Sequence, residues 1–266
     1  MRHLQSSIFL LVLLTISVNA QDLYRRSNDT IVRRQVTTDA VALAPVISTC
    51  TKPGSFAITF DDGPTETTDI LLNYLKANNY EATFFVNGLN YRCIYDQADV
   101  IKRIVNEGHQ LCSHTWSHAD LVKLSDDQIR LEMTKLEDAF RKIVGKVPRY
   151  MRPPYGSYDT RVRGILASLG YEMITWDIDS GDAIGYTINK SKAVYRTSIR
   201  KEPFPTPHLA LNHDVEPSTS TVLAPFAYKY VIRKGYSPQT VGSCLEDGNW
   251  YKEEVEPSPR DSSWVC

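Results

Sequence analysis

From Ser55 to Leu245 the chain alternates short apolar runs with amphipathic helical patterns, and this alternation restricts the fold more than any other feature. Ser55 to Phe60, Ala82 to Val86, Gln110 to Ser113, Tyr150 to Arg152, Tyr171 to Trp176 and Leu209 to Asn212 are too brief for helices and bounded by polar residues, so they are expected as strands. Between them, Ser125 to Val144 repeats Ile129, Met133, Leu136, Phe140 and Ile143 at steps of four and three, behind a Ser125/Gln128 capping box. Asp159 can cap a second helix, Thr160 to Leu169, with Val162, Ile165, Leu166 and Leu169 on one face. Strands that alternate with helices pair in parallel, and the helices cover them. A closed eight-unit barrel takes roughly 250 residues, so the ~190 available suit six or seven units. The expected fold class is α/β, a distorted or incomplete (β/α) barrel of six to eight parallel strands.

The chain outside this pattern divides by composition. Residues 1–20 combine Arg2 and His3, an apolar run from Ile8 to Val18 and small-residue cleavage chemistry at Val18-Asn19-Ala20, which reads as a secretory signal. The run is too short to cross a bilayer, which needs about 20 residues. Residues 21–48 carry the pairs Arg25-Arg26 and Arg33-Arg34 without apolar periodicity and are expected as a flexible or processed leader. Residues 49–248 form the folded domain and 249–266 a polar C-terminal tail, with neither a transmembrane segment nor a lipid-anchor signal. The sequons at Asn28 and Asn189 are glycosylation candidates, the second expected on a surface loop.

An apolar fraction of 42% excludes disorder, and 30 Lys plus Arg against 31 Asp plus Glu leaves no basic field for nucleic acid. Five cysteines fit an oxidising compartment, so the protein is expected to be secreted, extracellular or in a cell wall, and monomeric. Placement suggests the disulfides. Cys50 precedes the first strand and Cys244 follows the last, and the ends of a nearly closed barrel meet. Cys93 and Cys112 flank the helix between the second and third strands, which leaves Cys266 unpaired.

Polar residues gather just after the strand ends, and in a parallel barrel those ends share the face that holds the active site. Asp61 and Asp62 stand together in TFDDGP, and adjacent carboxylates repel unless a cation is near. As a turn, Asp-Gly-Pro is also ordinary chemistry. His114 and His118 in HTWSH are four residues apart, a step that lets two imidazoles face one cation from a helical turn. No Glu follows the first His, which argues against the zinc-protease pattern. Two imidazoles and one carboxylate suit a hydrolytic Lewis acid or a ferrous oxygenase; the second Asp and the later lone His213 favour hydrolysis, which needs a base for water and an acid for the leaving group. Arg152, Trp176 and His213 each have a bland alternative as surface or core residues.

Taken in order, TFDDGP, HTWSH, RPPYG, WDIDSGD and LNH resemble the polysaccharide deacetylases of carbohydrate esterase family 4, the NodB-homology domain, over about Lys52 to Leu245. The form of HTWSH, the NHDVEP segment and the VGSCLEDGNWY stretch are most similar to fungal chitin deacetylases. The resemblance implies that Asp62, His114 and His118 bind a divalent metal, zinc or cobalt, and that Asp61 is the general base, held by Arg152. It further implies that Tyr155 offers its backbone N–H to an oxyanion, that His213 is a general acid tuned by Asp179, and that Trp176 and Leu211 shape an acetyl pocket. One departure is Ala183, where the family commonly has an aromatic residue; Tyr186 is the expected substitute. The implied reaction is removal of N-acetyl groups from chitin or chitooligosaccharides. The alternatives are an acetylxylan-type O-acetyl esterase and a catalytically weakened carbohydrate-binding protein.

Overall fold

The computed structural model describes residues 42–266; the expected signal, most of the expected leader and Asn28 lie outside the described residues. In chain order the strands are β1 (Val46–Ile47), β2 (Ser55–Asp61), β3 (Thr83–Val86), β4 (Gln110–Ser113), β5 (Lys146–Pro148) and β6 (Tyr150–Met151). They continue with β7 (Glu172–Ile174), β8 (Ile178–Asp179), β9 (His208–His213), β10 (Ser237–Gln239) and β11 (Tyr251–Glu254). The main sheet runs β1-β7-β6-β4-β3-β2-β9-β8, and all its pairings are parallel. Strand β10 pairs with the start of β2, Ser237 opposite Ser55, while β3 joins the same strand further on, Thr83 opposite Thr59. Strands β5 and β11 form a separate antiparallel pair. The architecture is the expected one, a curled parallel sheet that stays open between β1 and β8.

Strand β2 is buried along its whole length, as a central strand covered on both faces must be. Its side chains alternate. Phe56, Ile58 and Phe60 point outward into the main core, where they meet α1 (Glu66–Asn78), α2 (Ala98–Asn106) and α3 (Asp126–Val144) through Leu71, Leu75, Ile101, Leu136 and Phe140. Ala57 faces the other way, into the curl, with Phe85, Cys112, Tyr150 and Leu209. Thr59 and Asp61 share that inner face by the same period of two, which aims Asp61 at the mouth of the curl. Helix α3 starts at the expected box, with Ser125 Oγ accepting from Gln128 N at 3.3 Å and Gln128 Oε1 accepting from Ser125 N at 2.9 Å. Asp159 caps α4 (Thr160–Ser168) by accepting from Val162 N at 2.7 Å.

Several expectations are corrected. Ala44 is buried and β1 pairs with β7, so the leader ends earlier than residue 48; a two-residue strand carries no period to read. Residues 249–266, expected as a polar tail, pack on the domain. Glu253 in β11 binds the Arg141 guanidinium at 3.0 Å, and Trp264 is buried beside Tyr95. Polar and covalent links hold this segment, and an apolar pattern does not report them. Gly145 lets it pass, because a Cβ there would lie 1.9 Å from the Val255 carbonyl oxygen. Asn189 is exposed in the first turn of α5 (Ile188–Lys201), not on a loop, because Thr187 caps that helix, and Ser191 of the same sequon is buried.

Cys50 and Cys244 are bonded as expected, closing a loop with a sequence separation of 194. The second disulfide is Cys93–Cys266, not Cys93–Cys112, and Cys112 is free and buried. The reason is the strand period. Cys112 points into the curl, whereas Cys93 packs on the outer core, so the sheet itself separates them.

Peptide mapping under non-reducing conditions should therefore link Cys50 to Cys244 and Cys93 to Cys266, with Cys112 alkylated only after unfolding. Opening the first bridge by Cys50→Ser with Cys244→Ser should lower the unfolding free energy by as much as about 5 kcal/mol in urea titrations, the entropy expected for so long a loop.

Candidate active site

Strand register assembles the site before any side chain is considered. Asp61 ends β2 opposite His213, which ends β9. On the other side Ser113 of β4 lies opposite Met151 of β6, so His114 and Arg152 leave their strands at one level. Past Asp61 the chain turns at Asp62, which takes φ 77, a left-handed conformation that Asp tolerates better than bulkier residues. Gly63 follows because its Cβ would fall 2.6 Å from Asp214 Oδ2; instead its N–H donates to Asp214 Oδ1 at 3.1 Å. Thr68 Oγ1 donates to the other oxygen at 2.5 Å. The buried Asp214 thus anchors the turn that presents Asp62, and burial raises its pKa to about 7.

His114 and His118 lie on a loop, not on the expected helical turn. Thr115 and His118 have φ 68 and 58, and Asn87 holds the loop by donating to the His114 and Thr115 carbonyls. Both imidazoles nevertheless reach one point. His114 Nε2 is 3.5 Å and His118 Nε2 3.3 Å from Asp62 Oδ1, which is buried and has no hydrogen-bond donor. Ligands sharing an ion at about 2.0–2.1 Å in a tetrahedron stand about 3.3 Å apart, so the spacing fits a small divalent cation. The Arg152 carbonyl lies 2.8 Å from His114 Nδ1; with Nδ1 carrying the proton, it donates there and leaves the Nε2 lone pair facing the cluster. Burial and the neighbouring His114 push the His118 pKa down to about 4, which keeps that imidazole neutral and able to ligate. Burial alone would raise the Asp62 pKa, but the surrounding imidazoles outweigh it and hold it below its usual value.

Arg152 is fully buried beneath the cluster. Its Nη1 donates to Asp61 Oδ1 at 2.6 Å and to Thr59 Oγ1 at 2.7 Å, Nη2 to the Thr175 carbonyl at 3.0 Å, and Nε to the Ile174 carbonyl at 3.3 Å. Across the mouth, Asp182 receives His213 Nδ1 at 2.8 Å through one oxygen, and the His213 N–H at 2.8 Å and Thr219 Oγ1 at 2.7 Å through the other. Burial lowers the His213 pKa, but the Asp182 hydrogen bond and charge raise it further, to about 9. The expected partner, Asp179, does not touch His213; one of its oxygens accepts from Gly181 N at 2.8 Å. The turn at Gly181, φ 73, brings Asp182 back toward the histidine, and three acidic positions in one short motif give sequence reading no means to choose among them. Asp214, Thr59 and Thr219 were likewise not foreseen, since each acts on an atom far away in sequence.

A cleft of about 490 Å³ opens over these groups. Trp176, Leu211 and Ile184 form its apolar side, and Tyr155, with φ 60, stands on its rim with its ring 4.7 Å from that of His118. Asp179 lines it as well. Tyr186 does not fill the place left open at Ala183; it packs on Gly181 beneath Lys190, and the exposed Ile184 lines the cleft instead.

Residues 48–174 match the family model described as polysaccharide deacetylase. A chitin deacetylase of Pestalotiopsis sp is 42% identical over 221 residues, covering 80% of this chain and 72% of that protein. One of Colletotrichum lindemuthianum is 38% identical over 222 residues, covering 80% and 88%. The solved structure of the Colletotrichum lindemuthianum enzyme superposes with a TM-score of 0.77 over 81% of this chain and 98% of its own, at 37% identity. Motifs, fold and relatives agree, and this chain belongs to the polysaccharide deacetylase family.

Proposed function

We propose that this protein removes N-acetyl groups from chitin or chitooligosaccharides, with Asp62, His114 and His118 holding a divalent metal, Asp61 as general base and His213 as general acid. The observation that carries the reading is the pairing of Asp61 and His213 across adjacent strand ends, each gripped by its own buried partner, at the mouth that also holds the Asp-His-His cluster. The two similar fungal proteins bear the name chitin deacetylase, which supports this substrate. Secretion is part of the proposal. Two disulfides among the described residues suit an oxidising compartment, and no described helix is long and apolar enough to cross a membrane.

Two imidazoles and a carboxylate suit zinc, and cobalt fits the same donors. Such a metal, when bound, supplies Lewis acidity to polarise the acetyl carbonyl and to acidify water. Asp61 takes the proton of the attacking water, and its bond to Arg152 fixes which oxygen faces the substrate. The Tyr155 N–H donates to the developing oxyanion. His213 then gives its proton to the departing amine, without which an amide nitrogen leaves very slowly. Trp176, Leu211 and Ile184 seat the methyl group.

Incubation of the metal-loaded protein with chitin oligomers and with acetylxylan, with acetate measured, should give release from the chitin oligomers; release from acetylxylan alone would make it an O-acetyl esterase. Asp62→Asn, His114→Ala and His118→Ala should lose metal in elemental analysis. Asp61→Asn should keep it while turnover falls by about 10²- to 10⁴-fold or more.

The acid is tested through its leaving group. His213→Ala should lose about 10²- to 10⁴-fold on chitin oligomers but far less on an aryl acetate, whose phenolate departs unprotonated. Equal losses on both would remove His213 as proton donor. The working form is the protonated one, so activity should fall as pH rises through the His213 pKa, raised toward about 9 by Asp182. A bound dication lowers that limb somewhat, and Asp182→Asn should shift it to still lower pH, read as log kcat against pH.

A further inference from the structure

One feature of the cleft belongs to no part of the machinery above. Asn90 and Tyr91 line it, and Tyr91 is 54% exposed, so its ring is open to a ligand. They crown a short loop after β3 that is closed by a bridge between Leu89 and Cys93 and by Ile94 N donating to the Gly88 carbonyl at 2.8 Å. At its base Gly88 N and Leu89 N both donate to the Trp116 carbonyl, at 2.9 and 2.7 Å, inside the loop that carries His114 and His118. A Cβ on Gly88 would lie 2.0 Å from the Trp116 ring, so the two loops touch backbone to side chain.

Asn90 Nδ2 donates to Asn87 Oδ1 at 3.2 Å and Ile94 is buried, and beyond them Cys93 is the covalent hold on the far side of this crown. Arg92 to Glu66 at 3.0 Å joins two exposed side chains and contributes little. Cys93 is bonded to Cys266, whose segment is itself secured. Ser258 N donates to the Lys142 carbonyl at 3.1 Å, Arg260 Nη1 to the Tyr95 carbonyl at 3.0 Å, and Trp264 is buried. The covalent link therefore ties the crown to α3 through the C-terminal segment.

We propose that the Cys93–Cys266 disulfide is a positioning device that holds Asn90 and Tyr91 as a subsite for the sugar ring beside the one being deacetylated. The proposal rests on the reading of the substrate as a chain of N-acetylglucosamine units. A pyranose presents an apolar C–H face to an aromatic ring and hydroxyls to an amide, which is what Tyr91 and Asn90 offer. Ordering an unlinked backbone costs conformational entropy at every residue fixed, and a loop already fixed spares that cost at binding.

The test compares Tyr91→Ala, and Cys93→Ser with Cys266→Ser, against wild type on a chitin pentamer and on an aryl acetate too small to reach Tyr91. Each should raise KM for the pentamer about two- to tenfold, the range of one aromatic contact, with little change in kcat, in metal content or in aryl acetate turnover. The triple variant should lose no more than the worse of the two. Unchanged KM in both overturns the proposal, as does a loss in the serine pair alone that falls equally on both substrates, which marks a purely structural bond. If the serine pair does not fold, Tyr91→Ala decides, and an unaltered KM overturns the subsite. If the wild type releases no acetate from chitin oligomers, it is the functional reading that fails. Hydrogen exchange then tests the brace by itself: faster exchange at Gly88, Leu89 and Ile94 in the serine pair supports it, and unchanged rates overturn it.

Discussion

The buried pair of Arg152 and Asp61 is the interaction on which the rest of the site depends. A guanidinium without solvent is costly unless its donors are filled, and here Asp61, Thr59 and the carbonyls of Ile174 and Thr175 fill them. These partners come from β2 and from the end of β7, so one side chain ties together strands that do not pair with each other. The carbonyl of the same residue lies 2.8 Å from His114 Nδ1, and its N–H donates to the Ser113 carbonyl at 2.9 Å. Lysine could not replace it, since a point charge with three donors cannot satisfy a planar set of four acceptors. Breaking such a pair by removing one partner typically costs about 3–5 kcal/mol, because the other charge stays buried.

Around that pair, three carboxylates within one turn of chain or one strand pairing receive different environments. Asp61 faces a permanent cation, Asp62 faces two imidazoles with one oxygen left without a donor, and Asp214 faces hydroxyl and amide donors with its pKa raised. Distinct surroundings suit like groups to distinct roles, those proposed above for Asp61 and Asp62 and that of a turn anchor for Asp214. The same logic separates two histidine–aspartate pairs on β9. His208 meets Asp177 at 2.5 Å and is buried away from the cleft, whereas His213 meets Asp182 at its mouth. Position on the strand, not the pairing itself, decides which of them faces the cleft.

What could be read in the chain follows from how each element is held. Strand β4 and helix α3 were legible almost to the residue, because apolar periodicity and a capping box are local signals. Asp61, Asp62, His114, His118, Arg152 and His213 were legible as a set because strand ends share a face. The helical turn expected at His114 became a loop because Asn87, distant in sequence, fixes its carbonyls. Asp182 rather than Asp179 meets His213 because the chain reverses at Gly181, a property of the folded backbone that the motif does not display. Cys112 stays free although it and Cys93 flank one helix, because their place along the chain does not show which face of the sheet each side chain takes.

The parts that the sequence conceals share a physical cause. β1, the segment from Tyr251 to Cys266 and the crown at Tyr91 are held by ladder bonds, ion pairs and a disulfide rather than by apolar stripes. Elements of that kind leave no period in the sequence, and they lie outside the regular strand–helix units that build the curl. The groups proposed as base and acid, Asp61 and His213, are fixed by the regular units, and such groups must hold their places to within a fraction of an ångström. The wall at Tyr91, proposed to meet the next sugar, is fixed by an irregular one. Changes in those segments can therefore alter which substrates the cleft accepts while the register of β2 and β9, and with it the chemistry, stays as it is.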